Sequence, residues 1–352
     1  MPDIRPLQPA DLPGVTPLVR TILPQWMADE QIPGFLTSTL IEDPWADPEL
    51  PALVAIGDDG EVIGFIGSQV RRFQFGERQL RGVCPSHLIV DTEKAGAAGA
   101  LLLRRLLAAG QDFTFSDTAS DLVARMWRTF GGHMDAARAC DWMIVLRPAR
   151  WLRGIGAAAI RRDLGREAVP VGALPFQAAG PRVMRRAFPE PDSDVSGEDA
   201  GTVEIVEQLP QATRGVRLRG AYDQPFLDHL FGQIETVLGP VVKRLVRRND
   251  MPIGWYAYRA ERGGVGKVLQ LAAAANEADA VLGEALEHAR ANGVAVLSGR
   301  TEPHLLTPLR RRLAVLGFAR QPVLHAHDPE LLSVLSSEGS LLTRLDSEWF
   351  AA

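Results

Sequence analysis

The stretch His87-Leu88-Ile89-Val90-Asp91-Thr92-Glu93-Lys94-Ala95-Gly96-Ala97-Ala98-Gly99-Ala100-Leu101-Leu102-Leu103 decides the fold. It opens as an apolar strand, passes through small residues, and runs straight into a helix. Such a turn leaves several main-chain N–H groups unpaired at the helix N-terminus, where the helix dipole adds positive potential. That combination suits a pyrophosphate. Small side chains let phosphates come close to the backbone.

The flanking sequence reads as alternating strands and helices. Ile4-Arg5-Pro6-Leu7 is a short strand, and Pro9 to Ile22 a helix with Val15, Leu18, Val19 and Ile22 at a 3.6-residue period. Leu53 to Ile56 and Val62 to Gly67 form a hairpin about Gly57-Asp58-Asp59-Gly60. Arg81 to Val90 is a strand, Leu101 to Ala109 a helix stopped at Gly110, and Phe113 to Phe115 a strand. Ser116-Asp117-Thr118 are expected to cap a helix from Ala119 to Phe130, and Trp142 to Leu146 to close the unit as a strand.

Residues 149–201 read as a connector. Arg150 to Leu164 has helical character, and the acidic, proline-rich run through Ser196-Gly197-Glu198-Asp199 is expected to be flexible. Beyond it the order returns. A helix spans Gln224 to Leu238, and strands span Val241 to Val246, Ile253 to Tyr258 and Lys267 to Ala274. A helix capped by Asn276 runs to Ala291, followed by a strand Val294 to Leu297, a helix Pro303 to Leu316 and a strand Val323 to His325. The economical reading is a duplicated α/β (α+β) mixed-sheet domain. The divisions are 1–148, a connector 149–201, and 202–352. A last amphipathic helix, Pro329 to Leu335, leads to the acidic-aromatic tail Asp346-Ser347-Glu348-Trp349-Phe350, expected to dock on the second domain with Trp349 buried.

The whole chain sets outer bounds. It has 352 residues, 46% hydrophobic and 23% charged, with a formal net charge of -5. These are ordinary values for a globular protein of two domains, and they argue against a protein that coats nucleic acid. No apolar run reaches the roughly 18 residues of a membrane span, and the N-terminus shows no secretory signal. Cys84 and Cys140 have no metal-ligand spacing, which fits a reducing cytoplasm with neither disulfide nor metal site.

On these residues and this element order, the chain resembles the GCN5-related N-acetyltransferase superfamily as a tandem protein of two acyl-CoA N-acyltransferase-like domains. The family motif is a strand ending in Val, a loop Arg/Gln-x-x-Gly-x-Gly/Ala, and a helix; Val90 to Ala100 lies over it. The resemblance implies that Lys94, Ala95, Gly96, Ala97, Ala98, Gly99 and Ala100 hold the pyrophosphate of acetyl-CoA. It also implies that the backbone of Leu88, Ile89 and Val90 orients the acetyl group. The chain departs from the motif at Ala95, where Arg or Gln is usual, with Lys94 one place early, and at Ala98, where the family has glycine. The matching loop of the second half, Ala272 to Asp279, has no glycine and sets Glu277 and Asp279 where phosphate would sit. Carboxylates there repel an anion, so the second domain reads as degenerate.

Acetyl transfer needs a deprotonated amine, a route for its proton, and donors that polarise the carbonyl. His87 is the candidate base, because imidazole titrates near neutrality; the plainer alternative is a half-buried, hydrogen-bonded strand residue. Asp117 is the candidate holder of the substrate amine, with helix capping as its plainer role. The tyrosine that protonates the leaving thiolate in the resembling family falls on Trp127 here. Trp127, Trp142 and Trp151 read as pocket or core residues. The clusters Arg244-Arg247-Arg248 and Arg310-Arg311-Arg312 read as a phosphate-binding face or a solvated one.

The expected activity is therefore transfer of acetyl from acetyl-CoA, as co-substrate, to a small amine, with an amino sugar among the acceptors this admits. The reading includes no nucleic acid and no membrane, and it admits a homodimer. Two alternatives stand beside it: a coenzyme-free binding or scaffold protein, and an aminoacyl-transferring enzyme of the FemA/FemB type.

Overall fold

The computed structural model describes residues 2–23, 27–94, 96–147, 192–260, 264–318 and 321–351. The helix expected from Arg150 and Trp151 lie outside them. In the first half the strands are β1 (Asp3–Pro6), β2 (Leu53–Ile56), β3 (Val62–Phe75), β4 (Arg78–Val90), β5 (Phe113–Ala119), β6 (His133–Met134) and β7 (Cys140–Val145). The helices are α1 (Leu12–Arg20), α2 (Ile32–Leu40), α3 (Ala98–Leu107) and α4 (Asp121–Thr129). In the second half the strands are β8 (Val195–Asp199), β9 (Leu218–Gly220), β10 (Val241–Arg248), β11 (Met251–Ala260), β12 (Val265–Ala273), β13 (Val296–Arg300), β14 (Val315–Phe318) and β15 (Gln321–Ala326). Its helices are α5 (Thr202–Ala212), α6 (Gln224–Leu238), α7 (Ala278–Ala291), α8 (Leu306–Arg311) and α9 (Pro329–Leu335). No helix among the described residues is long and apolar enough to cross a membrane.

Two mixed sheets organise these elements. The first is eight-stranded in the order β1-β2-β3-β4-β5-β15-β6, with β9 pairing the far end of β3; the second is seven-stranded, β14-β7-β13-β12-β11-β10-β8. The halves thus exchange strands. β7, expected to close the first domain, lies between β13 and β14, and β15 lies between β5 and β6. A boundary at residue 148 therefore does not separate the sheets. The exchange ties the halves together through main-chain hydrogen bonds, and one core cluster draws on both, joining Phe35 and Trp45 to Phe226, Trp255 and Trp349.

Several local expectations are corrected. The acidic run Ser196 to Asp199 is an edge strand, β8, paired with β10. Asp194, Glu198 and Asp199 meet Arg248, Arg247 and Arg244 at 2.8, 2.5 and 2.6 Å. Acids that read as a solvated linker are matched by the basic cluster of β10, which is itself no open phosphate face. β5 runs on to Ala119, and Ser120 rather than Ser116 to Thr118 caps α4, accepting from Val123 N at 3.4 Å. The helix expected through Leu316 stops at Arg311, and Val315 to Phe318 pairs with β7 as β14. Asn276 does not cap α7: it sits at φ +70, and Glu277 takes the cap position.

Each sheet splits at one parallel pair of strands. β4 and β5 pair only at Gly82↔Phe113 and Val83↔Thr114, after which β4 follows β3 and β5 follows β15. β12 and β13 pair at Val265↔Val296, Gly266↔Leu297 and Lys267↔Ser298 before they part. A glycine marks each split. A Cβ at Gly82 would meet the Phe73 and Phe113 rings at 2.8 Å, and one at Gly266 would meet Leu297 at 2.7 Å.

Candidate functional site

The split between β4 and β5 opens a cavity of about 480 Å³. Its floor comes from a bulge in β4. Phe65 pairs with Ile89 and Gly67 with Ser86, so His87 and Leu88 together oppose Ile66. His87 takes up the extra residue at φ +54, a region non-glycine residues rarely occupy. Such strain, held by the surrounding packing, is common at functional sites.

The bulge sets His87 on the cavity wall, 7% exposed, stacked on Phe350 at 4.8 Å and edge-on to Phe35 at 5.9 Å. Among the described residues, neither ring nitrogen has a hydrogen-bond partner. Burial alone lowers its pKa to about 4, so the ring is neutral at pH 7.

Across the cavity lies a residue the sequence reading passed over. Glu348 is buried on the cavity wall and accepts from Ser116 Oγ at 3.0 Å. Its pKa is pushed up to about 8, first by burial and then by the charge of Asp117. It reaches the site on the C-terminal tail, buried throughout residues 340–350. The tail packs on the second half, as expected, with Leu345 N on Leu269 O, and it also reaches the first sheet. Buried arginines clamp it. Arg138 donates to the carbonyls of Leu335 and Leu342 at 2.7 and 3.1 Å, Arg300 to Leu342 O at 2.6 Å, and Arg71 to Asp346 O at 3.2 Å. An acid flanked by two aromatic residues was the available signal. Solvent suits Glu348 but not Trp349 and Phe350, so the segment had to find a buried seat for all three.

Asp117 takes a different place from the one expected. It lies on the opposite face of β5 from Ser116 and Thr118 and is not among the cavity-lining residues. Its carboxylate receives Arg300 Nη1 at 2.8 Å and Ser347 Oγ at 2.8 Å, joining the first sheet, the second sheet and the tail. Cys84 lies in the core with Phe73 and Leu324. Trp127 is 1% exposed and packs on the α4 side of the cavity, while Trp142 is buried core of the second sheet.

The turn from Val90 into α3 joins two elements that each reach the cavity, β4 through Leu88 and α3 through Leu103. Ile89 and Val90 continue β4 to the turn. Gly96 and Ala97 are exposed, Gly99 and Ala100 are half-buried, and Ala98, the first residue of α3, is buried. Among the described residues, no protein acceptor meets the amides of Gly96, Ala97, Ala98, Gly99 or Ala100, and the first to bond is that of Leu101, on Ala97 O at 3.1 Å. These are the orphan donors of a helix start, gathered on small side chains. Ala95 lies outside the described residues. Lys94 is spread toward the β2–β3 hairpin, 2.6 Å from Glu61 and 3.6 Å from Asp59.

The second half repeats the cleft and fills it. Leu269 bulges from β12, and its carbonyl accepts Leu345 N at 2.9 Å from the tail. Thr343 bonds the neighbouring Gln270 through its hydroxyl. At the start of α7, Glu277 meets Arg248 at 3.2 Å and Asp279 meets Arg312 at 3.1 Å, so protein carboxylates with their own arginines occupy this helix start. Among the described residues no cluster of His, Cys, Asp and Glu is arranged to hold a metal.

No family model matches the sequence, and no curated protein matches it. Solved structures do. Eis1 from Mycobacterium abscessus is 17% identical, with a TM-score of 0.56 over 94% of this chain and 76% of that one. A probable N-acyltransferase from Enterococcus faecalis V583 is 10% identical, with a TM-score of 0.56 over 93% and 72%. A GCN5-related N-acetyltransferase from Anabaena variabilis is 10% identical, with the same TM-score over 93% and 73%. The split strand pairs, the bulge and these neighbours agree: this chain carries the fold of the GCN5-related N-acetyltransferases, twice in tandem with strands exchanged between the two copies.

Proposed function

We propose that the first half is an N-acetyltransferase site that takes acetyl-CoA as co-substrate and a small amine as acceptor. One observation carries this reading: the amides at the start of α3, which meet no acceptor among the described residues, stand beside an open strand split, whereas the equivalent place in the second half is filled by the protein itself. The residues present fit the coenzyme. Gly96 to Ala100 offer donors to the pyrophosphate, and the groove between α3 and α4, past Leu103 and Val123, suits the pantetheine arm. Acetyl-CoA would supply the acyl group as a thioester.

The chain's own groups then divide the work. The ionised Glu348 carboxylate takes the proton of the acceptor ammonium, leaving the nitrogen lone pair free to form the C–N bond as the C–S bond breaks. Acylation leaves a second proton on the now cationic nitrogen; the departing thiolate takes one of the two protons and the other passes from Glu348 to water, so ammonium and thioester give amide, thiol and one released proton. A carboxyl titrating near 8 is matched to an amine better than an ordinary glutamate. His87, neutral and stacked on Phe350, forms part of the wall against which the acceptor is placed. Ser116 holds Glu348 in position.

Thermal melting with millimolar acetyl-CoA tests this. A ligand at a hundred times its Kd adds about 2.7 kcal/mol to the folded state, so Tm is expected to rise by a few degrees. Gly99→Asp is expected to abolish the rise. The Cβ fits there, 3.4 Å from Val90, whereas Gly96 sits at φ +48 and its substitution adds backbone strain. No shift in the wild type overturns the proposal and leaves a scaffold that kept the fold, a reading that Trp127 in the proton donor's place favours.

A further inference from the structure

We infer that the acceptor is a monoamine with an apolar, aromatic-sized body rather than a polyamine, an amino acid or an amino sugar. This rests on the proposed acetyl transfer and specifies its second substrate.

The lining of the cavity carries the inference. Among the described residues, Glu348 is its one carboxyl, and no Lys, Arg or Asp lines it. The wall around His87 is Ile22, Leu23, Pro85 and Phe350, closed from behind by the Phe35 ring, 5.5 Å from Phe350. An acceptor with one amine can set it against Glu348 and lay the rest of its body on these side chains. A second ammonium would be buried with no second carboxylate, and an amino acid's carboxylate would meet no cation. Charges buried without a partner are strongly disfavoured. The lining hydroxyls, Ser116, Thr118 and Ser120, belong to β5 and the start of α4; a sugar's hydroxyls laid on the apolar wall of Ile22, Leu23, Pro85 and Phe350 would find no side-chain hydroxyl there and would lose their hydrogen bonds to water.

A second groove does not supply what the cavity lacks. It holds about 700 Å³ between α2 and α6, with Phe35 standing between it and His87. Its polar groups bond one another: His229 Nε2 meets Ser38 O at 3.0 Å, Gln233 Nε2 donates to Ser38 Oγ at 2.7 Å, and Asp228 accepts from Thr202 at 2.5 Å.

The experiment is a panel of phenethylamine, tryptamine, spermidine, lysine and kanamycin with purified protein and acetyl-CoA, read as release of the free CoA thiol. kcat/KM for the two aromatic monoamines is expected to exceed that for the other three by about tenfold or more. A gain-of-function variant checks the charge argument. Ile22 lies at the cavity rim, 48% exposed, so Ile22→Asp adds a carboxylate without burying it in the core. It is expected to narrow the gap between spermidine and phenethylamine about fivefold or more. If acetyl-CoA raises Tm but the charged acceptors win, or none of the panel is acetylated, the acceptor assignment is overturned while the coenzyme site stands. If acetyl-CoA does not raise Tm, the acetyl-transfer reading itself fails.

Discussion

The two halves of this protein share a plan and differ in what occupies it. Both split a parallel strand pair at a glycine, both bulge the inner strand, and both aim a helix start at the opening. In the first half the helix start carries small residues whose amides meet no acceptor among the described residues, near a 480 Å³ cavity. In the second, Glu277 and Asp279 occupy the helix start with their own arginines, and the tail bonds the bulged strand. A fold can thus retain the geometry of an anion site after the side chains have supplied the anion. The segment that closes the second cleft is also the one that equips the first, because Glu348 follows Leu345 on the same buried strap.

The largest effect is expected where the strap enters the first cleft. Glu348→Gln keeps the shape and the Ser116 contact but cannot take a proton. Acetyl transfer should fall by roughly 10²- to 10⁴-fold, while the acetyl-CoA melting shift persists. The wild-type rate should rise through about pH 8 as the carboxylate forms, and the variant should lose that limb. A variant that retains the wild-type rate and pH profile would separate the strap from the chemistry.

Unseating the strap should cost nearly as much in stability. Arg138 is buried against Asp135 and Glu302, with Ser340, Leu335 and Leu342 of the tail as further acceptors. Arg138→Ala leaves the buried Asp135 without its cation and takes from Glu302 one of its two arginines, the other being Arg300 at 2.9 Å, and is expected to cost about 3 to 5 kcal/mol in urea denaturation. A loss below about 1 kcal/mol would show that the tail is held chiefly by its apolar residues.

His87 distinguishes the first bulge from the second, where Leu269 cannot titrate. Its folded pKa is about 4 against an ordinary 6.5. Because it is lowered, the folded state prefers the neutral ring, and stability is lost as pH falls from about 6.5 toward 4. A shift of that size is worth roughly 3 kcal/mol. His87→Asn, with a side chain that tolerates a positive φ, should flatten that part of the acid-unfolding curve. Parallel curves for the two proteins would contradict the buried, neutral ring.

The smallest effect is expected at Lys94. Its ammonium is about half exposed and already paired with Glu61. Lys94→Ala should weaken acetyl-CoA by less than about fivefold, since exposed ion pairs contribute little. A loss of a hundredfold would mean that the side chain, rather than the main-chain amides, carries the affinity.

Much of this was legible in the letters, and the rest was hidden for physical reasons. The glycine turn after Val90 announced the first helix start, and Glu277 with Asp279 announced that the second differs. The helix Gln224 to Leu238, found as α6, was equally plain. The exchange of β7 and β15 was not, because an apolar strand states which face it buries and not which sheet it joins. β8 was misread because its acids answer arginines in β10, a distant element in sequence. Asp117 was singled out as a site residue when its partner, Arg300, lay 183 residues away, and Glu348 was passed over because only the folded tail brings it to Ser116.

The central claim is that one helix start of the two grips a diphosphate. Calorimetric titration of the full-length protein with acetyl-CoA tests it most directly. One molar equivalent is expected to bind the wild type and none to bind Gly99→Asp, with Glu277→Gln binding like the wild type. Two equivalents, or a single equivalent that survives Gly99→Asp and is lost in Glu277→Gln, would contradict it.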